Sequence, residues 1–150
     1  KNSVDFSFMM EQIIYEFKPL FREKNLNINS DIEHEIIISI DPNKIERVID
    51  NIIRNAINYS YTENTIDIIV NKDDESFINI CVINKGPTIP SEKLANIFDE
   101  FFRMDPSRDA KTGSAGLGLA IAKSIVVAHN GSINAKSENE ITEMVVKLPA

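Results

Sequence analysis

The chain has one cysteine, no tryptophan and only two histidines among 150 residues. A lone cysteine closes no internal disulfide and has no partner for a structural metal site. Cys81 lies in an apolar run, so it reads as buried filler rather than a reactive thiol. Glycine is also scarce, five in all, and three of the five crowd into positions 113–118. Cations are outnumbered, 16 Lys and Arg against 23 Asp and Glu, for a formal charge of −7. Nucleic-acid-binding surfaces are normally basic, so no nucleic-acid partner is expected. A small anionic ligand is not excluded, because local donors decide its binding. No apolar stretch approaches the ~18–20 residues that span a bilayer, and no signal peptide is visible. The first residue is a lysine inside an apparent helix, so the chain is expected to be a piece of a longer protein that forms one domain over 1–150.

What is present suits a real core: 43% of residues are hydrophobic and 26% charged. From Val4 to about Glu23, Phe6, Met10, Ile13, Phe17 and Phe21 recur at helical spacing. Residues 25–29 and 35–40 read as strands joined by a polar turn. Asp41 caps a second helix with Pro42 at its first position, where the missing N–H costs nothing. Residues 65–71 and 77–83 are β-branched strands, Ser91 to Phe98 a short helix, and 104–114 a polar, mobile stretch. Leu117 to Ala128 reads as an apolar helix stopped at His129-Asn130-Gly131, followed by a hairpin of 132–135 and 141–148. The expected fold class is α+β: a two-layer α/β sandwich in which three helices cover a mixed, mostly antiparallel sheet of about five strands.

Four features can carry chemistry. The second helix is rich in isoleucine, yet Asn51, Asn55 and Asn58 fall within roughly 60° of arc on one side. Asparagine is a mediocre helix former, so three together point to a polar ligand or a hydrated cation along that face, or else to a plain solvated face. Gly113-Ser114-Ala115-Gly116-Leu117-Gly118-Leu119 opens the last helix, whose free N–H groups and positive dipole end suit a phosphate. It has neither P-loop nor dinucleotide-fingerprint spacing, and a flexible turn into a core helix explains it alone. Asn84-Lys85-Gly86-Pro87-Thr88-Ile89-Pro90 ends a strand with an amide that can pair with a planar heterocycle, although a simple turn uses the same residues. Phe98, Phe101 and Arg103, with Arg108 and Lys111 behind them, combine aromatic anchors with cations able to reach a triphosphate. Aromatics packed in the core beside surface charges are the alternative.

In order and spacing, Asn51-x-x-x-Asn55, Asn84-x-Gly86, Phe98-x-x-Phe101-x-Arg103 and Gly113-x-x-Gly116-x-Gly118 resemble the N, G1, F and G2 boxes of bacterial sensor histidine kinases. The resemblance covers almost the whole chain. It implies the Bergerat ATP-binding fold shared with the Hsp90, gyrase and MutL ATPases. Asn55-Ala56-x-x-Tyr59-Ser60, Asn84 and the run Ala115 to Lys123 narrow the likeness to VanS-type sensors of vancomycin resistance. By that resemblance, the cofactors are ATP and Mg²⁺, and the partners are a histidine-bearing dimerisation domain of the same kinase and a VanR-like response regulator. The chain would be a cytoplasmic part of a membrane sensor, itself monomeric.

The same resemblance implies residue roles. Asn55 matches the Mg²⁺ ligand that bridges the phosphates, with Asn51 one turn earlier and Asn58 one turn later. Tyr59 lies beside the nucleotide, and Asn84 meets the adenine amino group with Gly86 below the ring and Ile89 and Phe98 near it. Arg103, Arg108 and Lys111 match lid cations. Gly113, Gly116, Leu117, Gly118 and Leu119 match the phosphate-contacting turn. Three positions depart from the family pattern: Asn58 stands for lysine, Asn84 for aspartate and Thr88 for glycine. They imply modest affinity. In hydrolytic relatives a glutamate stands where this chain has Asn51, which cannot act as a general base, so phosphoryl transfer is implied with little hydrolysis. An ATP hydrolase of the same fold and a docking domain without nucleotide remain open. His34 and His129 both read as structural rather than as phosphoacceptors.

Overall fold

A computed structural model describes residues 1–74, 76–102 and 118–150. The expectation of a mobile stretch at 104–114 lies outside them. The chain opens with strand β1 (Asn2–Asp5) and enters helix α1 (Phe6–Glu23) at Asp5, whose carboxylate accepts from the Phe8 N–H at 3.1 Å. The helix was expected from Val4. It starts two residues later because Asp5 caps it from extended backbone, which leaves the residues before it free to pair as a strand. At the other end Asn25 takes a left-handed conformation (φ 55°), and the Leu26 N–H reaches back to the Phe21 carbonyl at 2.8 Å.

Strands β2 (Asn27–Ile32) and β3 (Ile37–Ile40) follow, but they form no hairpin, contrary to the expected polar turn. β3 pairs antiparallel with β1, while β2 runs parallel to a later strand at 65–70. The cause is the loop between them. Ser7 Oγ donates to the Glu33 carbonyl at 2.7 Å and accepts from the Ile36 N–H at 3.0 Å, and the Phe6 N–H donates to the Ile36 carbonyl. The loop is therefore fastened to the start of α1 instead of turning back on β2.

Helix α2 (Pro42–Tyr59) is capped by Asp41, which accepts from the Lys44 N–H at 3.3 Å. Its buried positions 45, 48, 49, 52, 53, 56 and 57 repeat at helical spacing, and α2 lies between α1 and the last helix in one layer. Strands β4 (Thr65–Lys72) and β5 (Phe77–Lys85) form a hairpin. Helix α3 is only Ser91–Leu94 rather than reaching Phe98. Beyond Leu94 the Asn96, Ile97 and Asp99 N–H groups bond three residues back, so the chain tightens into successive turns. Helix α4 (Gly118–Ala128) and strands β6 (Ser132–Glu138) and β7 (Ile141–Pro149) complete the domain. The five-stranded sheet has the order β2-β4-β5-β7-β6, antiparallel except for β2 on β4.

Alternation assigns the sheet's two faces. Ile78, Ile80 and Val82 point at the helices and face Leu148, Val146 and Met144 across β5 and β7. Each such buried aliphatic side chain contributes about 1.5–3 kcal/mol relative to exposure. Cys81 points the other way and is only half-buried, which corrects its reading as core filler; period two puts it outward between Ile80 and Val82. Its thiol donates to Glu143 Oε1 at 3.2 Å, and burial, then that bond and the carboxylate's charge, push its pKa up to about 12. The thiol is thus held in its unreactive form.

Candidate functional site

The polar face of α2 looks onto the start of α4. Asn51, Asn55, Asn58 and Tyr59 are all half-buried, between the dry isoleucine side and the exposed side of the helix. Asn51 Nδ2 donates to the Gly118 carbonyl at 2.9 Å, tying the first turn of α4 to the asparagine face. The Asn55 side chain makes no hydrogen bond among the described residues. Leu119, the next residue of α4, packs against the core and fixes the helix's depth. The start of α4 therefore brings helix N–H groups and their positive dipole end close to α2's amides. Arg103, Arg108, Lys111, Gly113, Gly116 and Leu117 lie outside the described residues.

A second polar patch closes the inner face of the sheet. The apolar row along β5 and β7 changes character at one register pair, where Asn84 faces Thr142. Asn84 is 5% exposed, yet its side chain forms no hydrogen bond among the described residues. Thr142 Oγ1 lies 2.8 Å from Ser137 Oγ, and Ser137 accepts from the Ile89 N–H at 2.9 Å. Thr142 and Ser137 were not singled out from sequence. They form one register pair of the final hairpin, Thr142 buried and Ser137 half-buried, and residue 137 lies beyond the strand expected at 132–135.

The loop after β5 is held from three sides. Gly86 is buried, and a Cβ on it would sit 2.0 Å from the Tyr59 carbonyl oxygen, so the strand end and the last turn of α2 meet without room for a side chain. The Gly86 N–H donates to the Glu140 carbonyl at 3.0 Å, and the Tyr61 N–H to the Lys85 carbonyl at 2.8 Å. Thr88 Oγ1 accepts from the Glu140 N–H at 2.8 Å. The threonine that departs from the family's glycine thus links this loop to the β6–β7 turn, where Asn139 and Glu140 both have positive φ, as two-residue hairpin turns require. Tyr61 Oη donates to Glu140 Oε1 at 2.6 Å.

Comparison with known proteins decides the family. A model described as histidine kinase-, DNA gyrase B-, and HSP90-like ATPase matches residues 40–150. The chain belongs to that family. The sensor protein VanSC of Enterococcus gallinarum is 44% identical over 147 residues, covering 98% of this chain and 40% of that protein. VanS of Enterococcus faecium is 39% identical over 150 residues, covering 100% of this chain and 38% of that protein. The chain spans about two fifths of the length of these relatives. Among solved structures, the catalytic domain of the histidine kinase ThkA superposes with a TM-score of 0.87 at 22% identity, covering 99% of this chain and 94% of that one. The mycobacterial sensor histidine kinase MprB gives 0.83 at 20% identity, covering 99% and 97%; at such identities the likeness is one of fold. The domain is the catalytic ATPase type of sensor histidine kinases, and it implies an ATP site.

In a histidine-kinase domain the histidines need placing. His34 is exposed, on the loop between β2 and β3. His129, buried at the end of α4, places Nδ1 2.9 Å from the Ile125 carbonyl and accepts the Asp41 N–H at Nε2, 3.1 Å away. In this pairing Nε2 is the acceptor, so Nδ1 is the nitrogen placed to donate to the Ile125 carbonyl. His129 joins the end of α4 to the cap of α2. Phe98 packs half-buried against the core with Lys123 Nζ 5.9 Å from its ring centre, while Phe101 is 68% exposed.

Proposed function

We propose that this chain binds Mg-ATP and donates the γ-phosphoryl group to a histidine on a separate dimerisation domain of the same sensor kinase, from which a response regulator takes it. On this reading residues 1–150 are one catalytic domain on the cytoplasmic side of a VanS-like membrane sensor, paired with a VanR-like regulator in glycopeptide resistance. Among the described residues no helix is long and apolar enough to cross a membrane.

The observation that carries the proposal is the Asn51–Gly118 bond beside an Asn55 that has no partner among the described residues. One amide is used to hold the mouth of α4 against α2. The next, one turn on, keeps its oxygen for a ligand. The donor set fits Mg²⁺, which keeps several waters and takes few protein oxygens when phosphates supply the charge. Asn55 would hold such an ion through its side-chain oxygen, with the nucleotide supplying the remaining charge. When bound, the ion would neutralise charge on the transferring phosphoryl group.

The chain's own residues bind and orient. Asn84 accepts from the adenine amine, Gly86 keeps the loop after β5 close against α2, and Tyr59 flanks the nucleotide. Helix N–H groups at Gly118 and Leu119, with Gly113, Gly116 and Leu117 before them, meet phosphate oxygens; Arg103, Arg108 and Lys111 stabilise developing charge from the lid. Hydrolysis is disfavoured, because Asn51 carries an amide that has no basicity and whose nitrogen is already committed to Gly118. The test is Asn55→Ala in a calorimetric titration with Mg-ATP. Metal-dependent binding should fall by at least about 100-fold while stability changes by less than about 0.5 kcal/mol. Unchanged affinity removes Asn55 from the site.

A further inference from the structure

Asn84 is the one polar side chain on the inner face of β5, and it differs from a carboxylate in more than charge. A carboxylate only accepts. It suits the 6-amino group of adenine and repels the 6-oxo group of guanine or hypoxanthine, acceptor against acceptor. A carboxamide presents an acceptor and a donor side by side. With Oδ1 towards position 6, it accepts from the adenine amine and donates from Nδ2 to N1. Turned over about its last torsion, it donates from Nδ2 to a 6-oxo group and accepts from the N1–H that such bases carry. Asparagine reads purine edges through two bonds of this kind in nucleic-acid complexes.

An internal hydrogen bond would lock one orientation, and Asn84 has none among the described residues although it is only 5% exposed. Its surroundings adapt as well. Thr142, directly opposite on β7, shares a 2.8 Å contact with Ser137 in which either hydroxyl can donate, so the neighbouring proton reverses without moving a heavy atom. We propose that Asn84 makes this pocket accept 6-oxopurine nucleoside triphosphates as well as ATP. The inference rests on the nucleotide-binding reading above and specifies its substrate class.

The experiment compares dissociation constants of ATP and inosine triphosphate, each with Mg²⁺, for the unaltered chain and for Asn84→Asp. The two nucleotides differ at the 6-substituent and the proton on N1, the groups that Asn84 would read. For the unaltered chain the constants should lie within about tenfold of each other. Asn84→Asp should shift the ratio towards ATP by about 30-fold, within the range of one bidentate pair. Inosine triphosphate binding more than about tenfold weaker than ATP to the unaltered chain overturns the inference, and so does a ratio that the substitution leaves unchanged. The first comparison needs no variant, so it holds even if Asn84→Asp folds poorly. Binding of ATP with rejection of inosine triphosphate sinks the inference alone; binding of neither sinks the nucleotide reading and the inference with it.

Discussion

Helix α2 has three sides, and two of them differ instructively. Along one, Ile45, Ile49, Ile52 and Ile53 are at most 1% exposed and lie within the apolar core. Along the next, Asn51, Asn55 and Asn58 are half-buried, neither dry nor free in water. The solvated face that could have explained the asparagines lies elsewhere, where Arg54 and Asp50 pair at 2.8 Å with side chains 56% and 40% exposed. Such an exposed pair contributes about 0.3–0.5 kcal/mol. On the nucleotide-binding proposal, one helix therefore separates holding the fold from facing a ligand, and the division is along its length rather than between its ends. Loss of an isoleucine should cost stability, and loss of an asparagine should cost binding.

Ile49→Ala tests the apolar side most severely. The residue is 0% exposed, and the cavity should lower unfolding free energy by about 2–5 kcal/mol in denaturant titration, with the folded fraction still binding nucleotide. A loss below about 1 kcal/mol would mean that the core is looser than its burial implies. Gly86→Ala probes the seam where the two sides meet. Its new methyl would fall on the Tyr59 carbonyl, so either the end of α2 or the strand end must move. Destabilisation of about 1–3 kcal/mol is expected, together with weaker nucleotide binding. If stability drops while affinity holds, the glycine serves packing alone.

The sequence made the apolar side of α2 legible because helical period and burial follow the same rule, and likewise the five-stranded sheet, whose alternation is regular in β4, β5 and β7. It did not show β1, since four residues with one partly buried position carry too weak a pattern against the strong helical period that follows. Nor did it show that β2 leaves β3 to pair with β4. That choice depends on Ser7 bonding a loop 26 residues away, which no local propensity encodes. At the site, the asparagines and Asn84-x-Gly86 were visible as motifs, whereas Thr142 and Ser137 were not, because their meaning comes from register. Thr88 was legible as a departure from the family's glycine, but its bond to the β6–β7 turn was not.

The smallest effect concerns how firmly the loop after β5 is held to α2. Tyr61 lies just past the end of α2, and its hydroxyl donates to Glu140 on the turn that also bonds Gly86 and Thr88. Ionising the phenol would destroy that donation and set a phenolate against a carboxylate. The bond to Glu140 first, then desolvation and the carboxylate's charge, raise the Tyr61 pKa above its ordinary value of 10.0. A folded pKa above the unfolded one gives stabilisation that is complete below the unfolded value and is lost as pH climbs through the folded one. The melting temperature of the unaltered chain should therefore exceed that of Tyr61→Phe at about pH 8, and the gap should close as pH rises past 10.0. Glu140→Gln should return the phenol's absorbance titration towards the ordinary tyrosine range while leaving the turn's two backbone bonds in place. A gap that shows no narrowing as pH rises past 10.0 would show that the Tyr61 hydroxyl contributes nothing to holding the loop, leaving that work to Gly86 and Thr88.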